Sequence, residues 1–189
     1  MEMPTLWTCL TLAWLGLEIL VALITRTRRG GGKVQDRGSM LLLWIVIFAA
    51  IFTSGLVRET VAGGIPDGAG WLRPLSLIVL VAGLAIRLTA IFTLGKSFSA
   101  NVAIREQQKV HRTGLYRFVR HPSYLGLLIV FLAVGLHARN WLSLAIMLVP
   151  TTLALLYRIH IEEAALRQAF GEEYAAYSQV TKRLIPGVF

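Results

Sequence analysis

Pro122-Ser-Tyr-Leu-Gly-Leu-Leu-Ile-Val-Phe-Leu-Ala-Val-Gly-Leu136 and Trp141-Leu-Ser-Leu-Ala-Ile-Met-Leu-Val-Pro-Thr-Thr-Leu-Ala-Leu-Leu-Tyr157 are two apolar runs separated only by His137-Ala-Arg-Asn140. So short a break between helix-length runs predicts a tight helical hairpin with its two helices side by side. Three further apolar runs lie upstream, at 6–25, 40–57 and 75–94. A helix needs roughly 20 apolar residues to cross the hydrocarbon core of a bilayer. The first three runs meet that length, and the hairpin runs are shorter.

The chain of 189 residues is 56% hydrophobic and 15% charged, with a mean hydropathy of +0.65. Soluble domains are nearer a quarter charged, so the composition predicts a membrane protein. The fold class expected is all-α: a polytopic membrane protein of five transmembrane helices, the last two a hairpin. The chain reads as a single membrane domain, with N-terminal spans in 1–86 and a functional core in 87–189.

The net charge of +9 does not point to nucleic acid. The basic residues sit in short loops beside the apolar runs, where they set topology and attract anionic headgroups. Arg26, Arg28, Arg29, Lys33 and Arg37 follow the first run, and Lys96, Arg105, Lys109, Arg112, Arg117 and Arg120 follow the third. Arg158, Arg167, Lys182 and Arg183 follow the fifth, whereas the opposite face has Arg58, Arg73 and Arg139. Alternation through five spans puts the three basic regions on one side. The positive-inside rule makes that side cytoplasmic and places the N-terminus outside. No positive charge precedes the first run, so it is expected to remain as an anchor and not to be cleaved as a signal.

Smaller features have plain readings. The single cysteine, Cys9, cannot form an intrachain disulfide and is expected to be buried. Gly30-Gly31-Gly32 lacks the strand and helix of a phosphate cradle and reads as linker. The glycine-rich stretch 58–73 reads as an external connector. After Tyr157 the pattern turns amphipathic, Gly171 interrupts it, and a second short helix is expected over 172–182. This tail is expected to lie at the cytoplasmic interface.

Three groups of residues could carry chemistry. Pro122 suits the first turn of a helix, so Arg120 and His121 stand at a helix N-terminus that favours an anion. Interfacial anchoring by the arginines and Tyr124 fits the same residues equally. Arg158 and Glu162 are four apart and share a helix face. They form either a local salt bridge or a divided site, with Arg158 on a substrate carboxylate and Glu162 on a cofactor. Glu163 reads as a solvated neighbour paired with Arg167. Glu18 and Arg87 lie within apolar runs, where ionisable groups are functional suspects. Arg87 is placed to snorkel, and Glu18 either pairs with a base or lines a cavity. His111, His121, His137 and His160 show no metal-ligand spacing, so no metal is expected.

The stretch Gly114-Leu-Tyr-Arg-Phe-Val-Arg-His-Pro-Ser-Tyr-Leu-Gly126 resembles the isoprenylcysteine carboxyl methyltransferase family. So do Glu162-Glu163, Phe170-Gly-Glu-Glu-Tyr174, Tyr177 and the upstream Leu94-Gly-Lys-Ser-Phe98. The resemblance runs from about Arg87 to the C-terminus. It implies a membrane enzyme that uses S-adenosylmethionine, without a Rossmann fold, to methylate the carboxylate of a prenylated cysteine at the cytoplasmic face. By position it implies cofactor contacts from Gln108, Lys109, Val110, His111, Tyr116, Arg120, His121, Pro122, Ser123, Tyr124 and Glu162. Arg158 is implied as the catalytic, substrate-binding residue. Gln108 departs from the family, which often has histidine there. The rival readings are a phospholipid amine methyltransferase, a non-enzymatic scaffold or sensor of the same fold, and a membrane reductase. For the last, no dinucleotide motif is visible. The expected partners are membrane lipids and a lipid-like or prenylated carboxylate.

Overall fold

The computed structural model describes residues 3–25, 33–34, 38–60, 63–68, 70–98, 103–104 and 109–189. Five helices carry the fold: α1 (Met3–Thr25), α2 (Ser39–Thr60), α3 (Leu72–Leu94), α4 (Pro122–His137) and α5 (Trp141–Val180). Four of them contain spans long and apolar enough to cross a membrane, at Leu6–Ile24, Ser39–Val57, Leu72–Leu94 and within α5. α4 has 16 residues, a length of about 24 Å. One ladder, unanticipated in the all-α reading, joins β1 (Lys33–Val34) to β2 (Ala103–Ile104) as antiparallel strands. Two residues per strand carry no alternating pattern for a sequence to display.

The hairpin forms as its sequence dictates. Pro122 opens α4, and Asn140 caps α5, its side chain accepting from the N–H groups of Leu142 at 2.9 Å and Ser143 at 3.1 Å. An asparagine at this position satisfies donors that the first helical turn leaves open. The stretch 63–68 is no plain connector. Ile65 N–H donates to the Arg139 carbonyl at 2.8 Å and Trp141 N–H to the Gly63 carbonyl at 3.0 Å. The Asp67 carboxylate, its side chain 0% exposed, lies 3.3 Å from Arg139 Nε. The loop is thus stapled across the hairpin turn.

Small residues set the helix spacing. A Cβ added to Gly126 would come within 2.6 Å of the Arg87 backbone nitrogen, and one on Gly83 within 2.9 Å of the Gly126 carbonyl. The α3 and α4 backbones therefore touch, the geometry that small residues permit between membrane helices. The core draws on all five helices, with Trp14, Leu43, Ile47, Leu80, Leu127, Phe131, Met147 and Leu155 buried together. Large apolar side chains such as Leu12, Phe52, Ile78, Phe92 and Leu153 stay exposed around the bundle. Cys9, expected inside, is exposed on α1. A small side chain in an apolar run does not reveal which helix face it occupies.

Arg87 does not snorkel. It is 7% exposed and forms a two-pronged pair with Glu18, Nε to Oε1 at 2.5 Å and Nη2 to Oε2 at 2.6 Å. Its remaining Nη1 donates to Ser123 Oγ at 2.6 Å and to the Ser123 carbonyl at 3.2 Å. This network ties α1, α3 and the first turn of α4 together. Beyond Tyr157, α5 continues to Gly171, whose φ of 51° and ψ of −123° break the helix. Only glycine adopts that conformation cheaply. The following segment, 172–180, turns back toward the start of α4.

Candidate active site

The site is built where the start of α4, residues 158–163 of α5 and the tail meet. The 3-10 turn Gly114–Arg117 leads into residues 118–121, where Val119 forms a bridge with Lys182. There Arg120 N–H donates to the Lys182 carbonyl at 2.7 Å and His121 N–H to the Arg183 carbonyl at 3.0 Å. The chain's last segment thus runs beside the approach to α4 and holds His121 at the helix mouth.

Tyr124 is the hub. Its hydroxyl donates to Glu162 Oε2 at 2.7 Å and accepts from Arg158 Nε at 2.9 Å. The two residues of α5 that share a face are therefore joined through a phenol from α4. Arg158 also donates from Nη1 to Ser39 Oγ at 2.9 Å, at the start of α2. Arg158 is 3% exposed, whereas the Glu162 side chain is 31% exposed. A held cation beside a reachable carboxylate offers two opposite charges to an incoming ligand. The His121 ring stacks on Tyr124, centroids 5.6 Å apart and 13° from parallel. His121 Nδ1 lies 3.8 Å from Glu162 Oε2.

A narrow cleft with a cavity volume of about 60 Å³ adjoins these groups. Arg158, Tyr124, Glu18, Arg87 and Phe98 line it together with Trp14, Leu15, Val21 and Ala22 of α1, Met40, Leu43, Trp44 and Ile47 of α2, and Leu127 of α4. Most of this wall is apolar, and Arg158 and Tyr124 belong both to it and to the polar cluster. Ligand sites commonly combine an apolar cavity with a few convergent polar groups.

Glu163 is not a solvated neighbour. Its side chain is 2% exposed and receives Arg120 Nε at 2.8 Å, Arg183 Nη2 at 3.2 Å and Arg167 Nη2 at 3.4 Å. His121 Nε2 lies 3.6 Å from it. Burial pushes the Glu163 carboxyl up, but the hydrogen bonds and charges of His121 and Arg120 outweigh it and bring it down to about 2. A carboxyl lowered from its ordinary 4.5 contributes stability in full above that value. The contribution is lost as pH falls toward 2. Glu163→Gln is therefore expected to flatten the loss of thermal stability between these two pH values, followed by tryptophan fluorescence in detergent. Identical acid profiles for both proteins would count against this role.

The remaining candidates divide. Arg120 is engaged inside the protein, with Glu163 and with the carbonyls of Ser178 at 2.9 Å and Thr181 at 2.5 Å. It ties α5 to the tail. Tyr116 directs its hydroxyl to the Ala90 carbonyl at 3.3 Å, and its own carbonyl accepts from Tyr177 at 2.6 Å. Its hydroxyl serves packing. Ser123 is taken by Arg87, and Pro122 begins α4. Lys109 is exposed, and Val110 and His111 are half-buried before the 3-10 turn. Gln108 lies outside the described residues. Among the described residues, four buried side-chain polar atoms make no hydrogen bond: Asp67 Oδ2 and Arg139 Nε, which face each other, and, at this site, His121 Nε2 and Tyr174 Oη. Among the described residues, no three His, Cys, Asp or Glu side chains gather as metal ligands do. Ser39 escaped the sequence reading, and Glu163 keeps its expected pairing with Arg167 but is buried and not solvated. An adjacent pair of glutamates does not say which one turns inward.

Residues 76–168 match the model of the isoprenylcysteine carboxyl methyltransferase family. Over these residues the chain is similar to that family. The match takes in Arg158, Glu162 and Glu163 and stops short of Phe170–Tyr174. Protein-S-isoprenylcysteine O-methyltransferase B of Arabidopsis thaliana is 34% identical over 120 residues, covering 62% of this chain and 61% of that one. Methanethiol S-methyltransferase 1 of Bradyrhizobium diazoefficiens is 40% identical over 72 residues, 38% of this chain and 24% of that protein. A solved structure of the eukaryotic intramembrane Ras methyltransferase of this family superposes with a TM-score of 0.56 at 25% identity. It covers 79% of this chain and 51% of that one. The chain spans about three fifths of the length of the curated isoprenylcysteine methyltransferases it matches first. Its apolar helices and this likeness make the protein an integral membrane protein similar to that family.

Proposed function

We propose that the protein transfers a methyl group from S-adenosylmethionine to the carboxylate of an amphiphilic, isoprenylcysteine-like acceptor at the cytoplasmic membrane face. The observation that carries this reading is the Tyr124 hydroxyl joining Arg158 to Glu162 where the apolar cleft begins. The isoprenylcysteine methyltransferases to which the chain is similar supply the acceptor class.

S-adenosylmethionine, when bound, supplies a methyl group already activated on a cationic sulfonium. The residues fit such a guest. Glu162 is a reachable carboxylate beside the stacked rings of His121 and Tyr124, suited to a cation. The segment 108–111, Pro122 and His121 complete the proposed cofactor contacts. Arg158 supplies the positive charge that holds the acceptor carboxylate. No general base is needed, because a carboxylate is ionised at neutral pH. The protein's work is to align the acceptor oxygen with the methyl and to exclude water. The apolar cleft receives the acceptor's hydrocarbon tail.

A buried guanidinium at the acceptor position repels an ammonium group, so a carboxylate is favoured over a phospholipid amine. In the membrane, we place α4 as a fifth, short span. The N-terminus then lies outside, and the site and the tail are cytoplasmic. The reading is tested by incubating the protein in lipid nanodiscs with labelled S-adenosylmethionine and a prenylcysteine. The expected product is a base-labile methyl ester, formed at a rate that is flat around neutral pH. A base-stable methylated product, or a rate that climbs with deprotonation of the acceptor, would overturn it.

A further inference from the structure

The cleft has a definite depth. Along α1 its lining runs from Ala22 to Trp14, and along α2 from Met40 to Ile47. Eight helical residues rise about 12 Å. Arg158 and Tyr124 stand at one end, and at the other the lining stops at Trp14, Ile47 and, on α4, Leu127. The largest of these three is the indole of Trp14, 3% exposed.

That indole is fixed in place. Its Nε1 donates to Glu18 Oε1 at 3.2 Å, and its ring meets Phe131 edge-on, centroids 6.0 Å apart and planes at 75°. Glu18 is itself gripped by Arg87. The acid in the cleft wall is thereby neutralised, and an apolar chain can pass it without facing an unpaired charge. A rigid aromatic side chain at the end of an apolar slot is a steric stop. Both α1 and α2 lie outside the residues 76–168 that match the family model.

We propose that Trp14 sets the length of hydrocarbon chain the enzyme accepts, by closing the far end of the cleft that begins at Arg158. This rests on the reading of the cleft as the seat of the acceptor's tail. With the carboxylate held by Arg158, a chain that ends below the indole is wholly buried. A longer chain bends out toward the bilayer and loses part of that burial. Truncating Trp14 extends the slot toward Phe131, and filling position 47 shortens it.

The test uses the full chain in nanodiscs with S-geranyl, S-farnesyl and S-geranylgeranyl N-acetylcysteine. It measures kcat/KM for methyl transfer to each, and the Kd of each without S-adenosylmethionine. Trp14→Ala is expected to raise the geranylgeranyl-to-geranyl ratio about tenfold, the scale on which apolar pockets discriminate. Ile47→Trp is expected to lower that ratio, and both variants should retain wild-type affinity for S-adenosylmethionine. Should Trp14→Ala fail to fold, Ile47→Trp and Trp14→Phe read the same ratio. Ratios that do not move in any folded variant would overturn the proposal. A length-dependent shift in Kd without methyl transfer would uphold the gauge and remove the carboxyl-methylation reading. Absence of binding by all three chains would overturn both.

Discussion

Arg158→Ala is expected to lower methyl transfer by about a thousandfold, the scale on which a single buried electrostatic group contributes to catalysis. The affinity for S-adenosylmethionine should stay within a few fold of wild type. Arg158 lines the cleft and reaches Tyr124 and Ser39, while the reachable carboxylate belongs to Glu162. A variant that loses the guanidinium keeps the proposed cofactor contacts and loses the group that orients the acceptor. Arg158→Lys should recover only a small part of the rate, since an ammonium keeps the charge without the planar fork. Rates and calorimetric affinities on the same preparations decide the matter. Equal loss of both in Arg158→Ala would show that the two roles are not divided as described.

Arg87→Ala should destabilise the protein by about 3–5 kcal/mol, the cost of leaving a buried charge without its partner. For a chain of this size that is roughly a 10 °C fall in Tm. The side chains of Arg87 and Glu18 are 9% and 10% exposed, so water is poorly placed to replace the lost partner. The loss should spread beyond α1, because Arg87 also holds the Ser123 turn that precedes Tyr124. The double variant Glu18→Gln/Arg87→Gln leaves no unpaired charge and should be more stable than Arg87→Ala. A double-mutant cycle measures this coupling. Unchanged stability in Arg87→Ala would mean that the pair does not anchor α1.

Features governed by neighbours along the chain were legible in the sequence. Pro122 marked the start of α4, and Asn140 closed the break before α5. The four-residue spacing of Arg158 and Glu162 put them on one face. Features that depend on distant partners were not. Glu18 and Arg87 are 69 positions apart, and only the assembled bundle brings them together. Arg120 read equally as an anion ligand or an interfacial anchor, and its engagement with the tail was not legible. The folded tail supplies Ser178 and Thr181 carbonyls to it. Glu163 shares every local property of Glu162, yet the 100° between successive helical residues turns it into the protein. The stretch 63–68 has the composition of a free loop, and its backbone pairs with the hairpin turn.

The most direct measurement is the affinity for S-adenosylmethionine, by calorimetry on wild type and Glu162→Ala in lipid nanodiscs. Wild type is expected to bind, and Glu162→Ala to lose about tenfold or more in affinity while keeping its fold, as for a hydrogen bond to a charged group. Folded wild-type protein that does not bind S-adenosylmethionine would contradict the account.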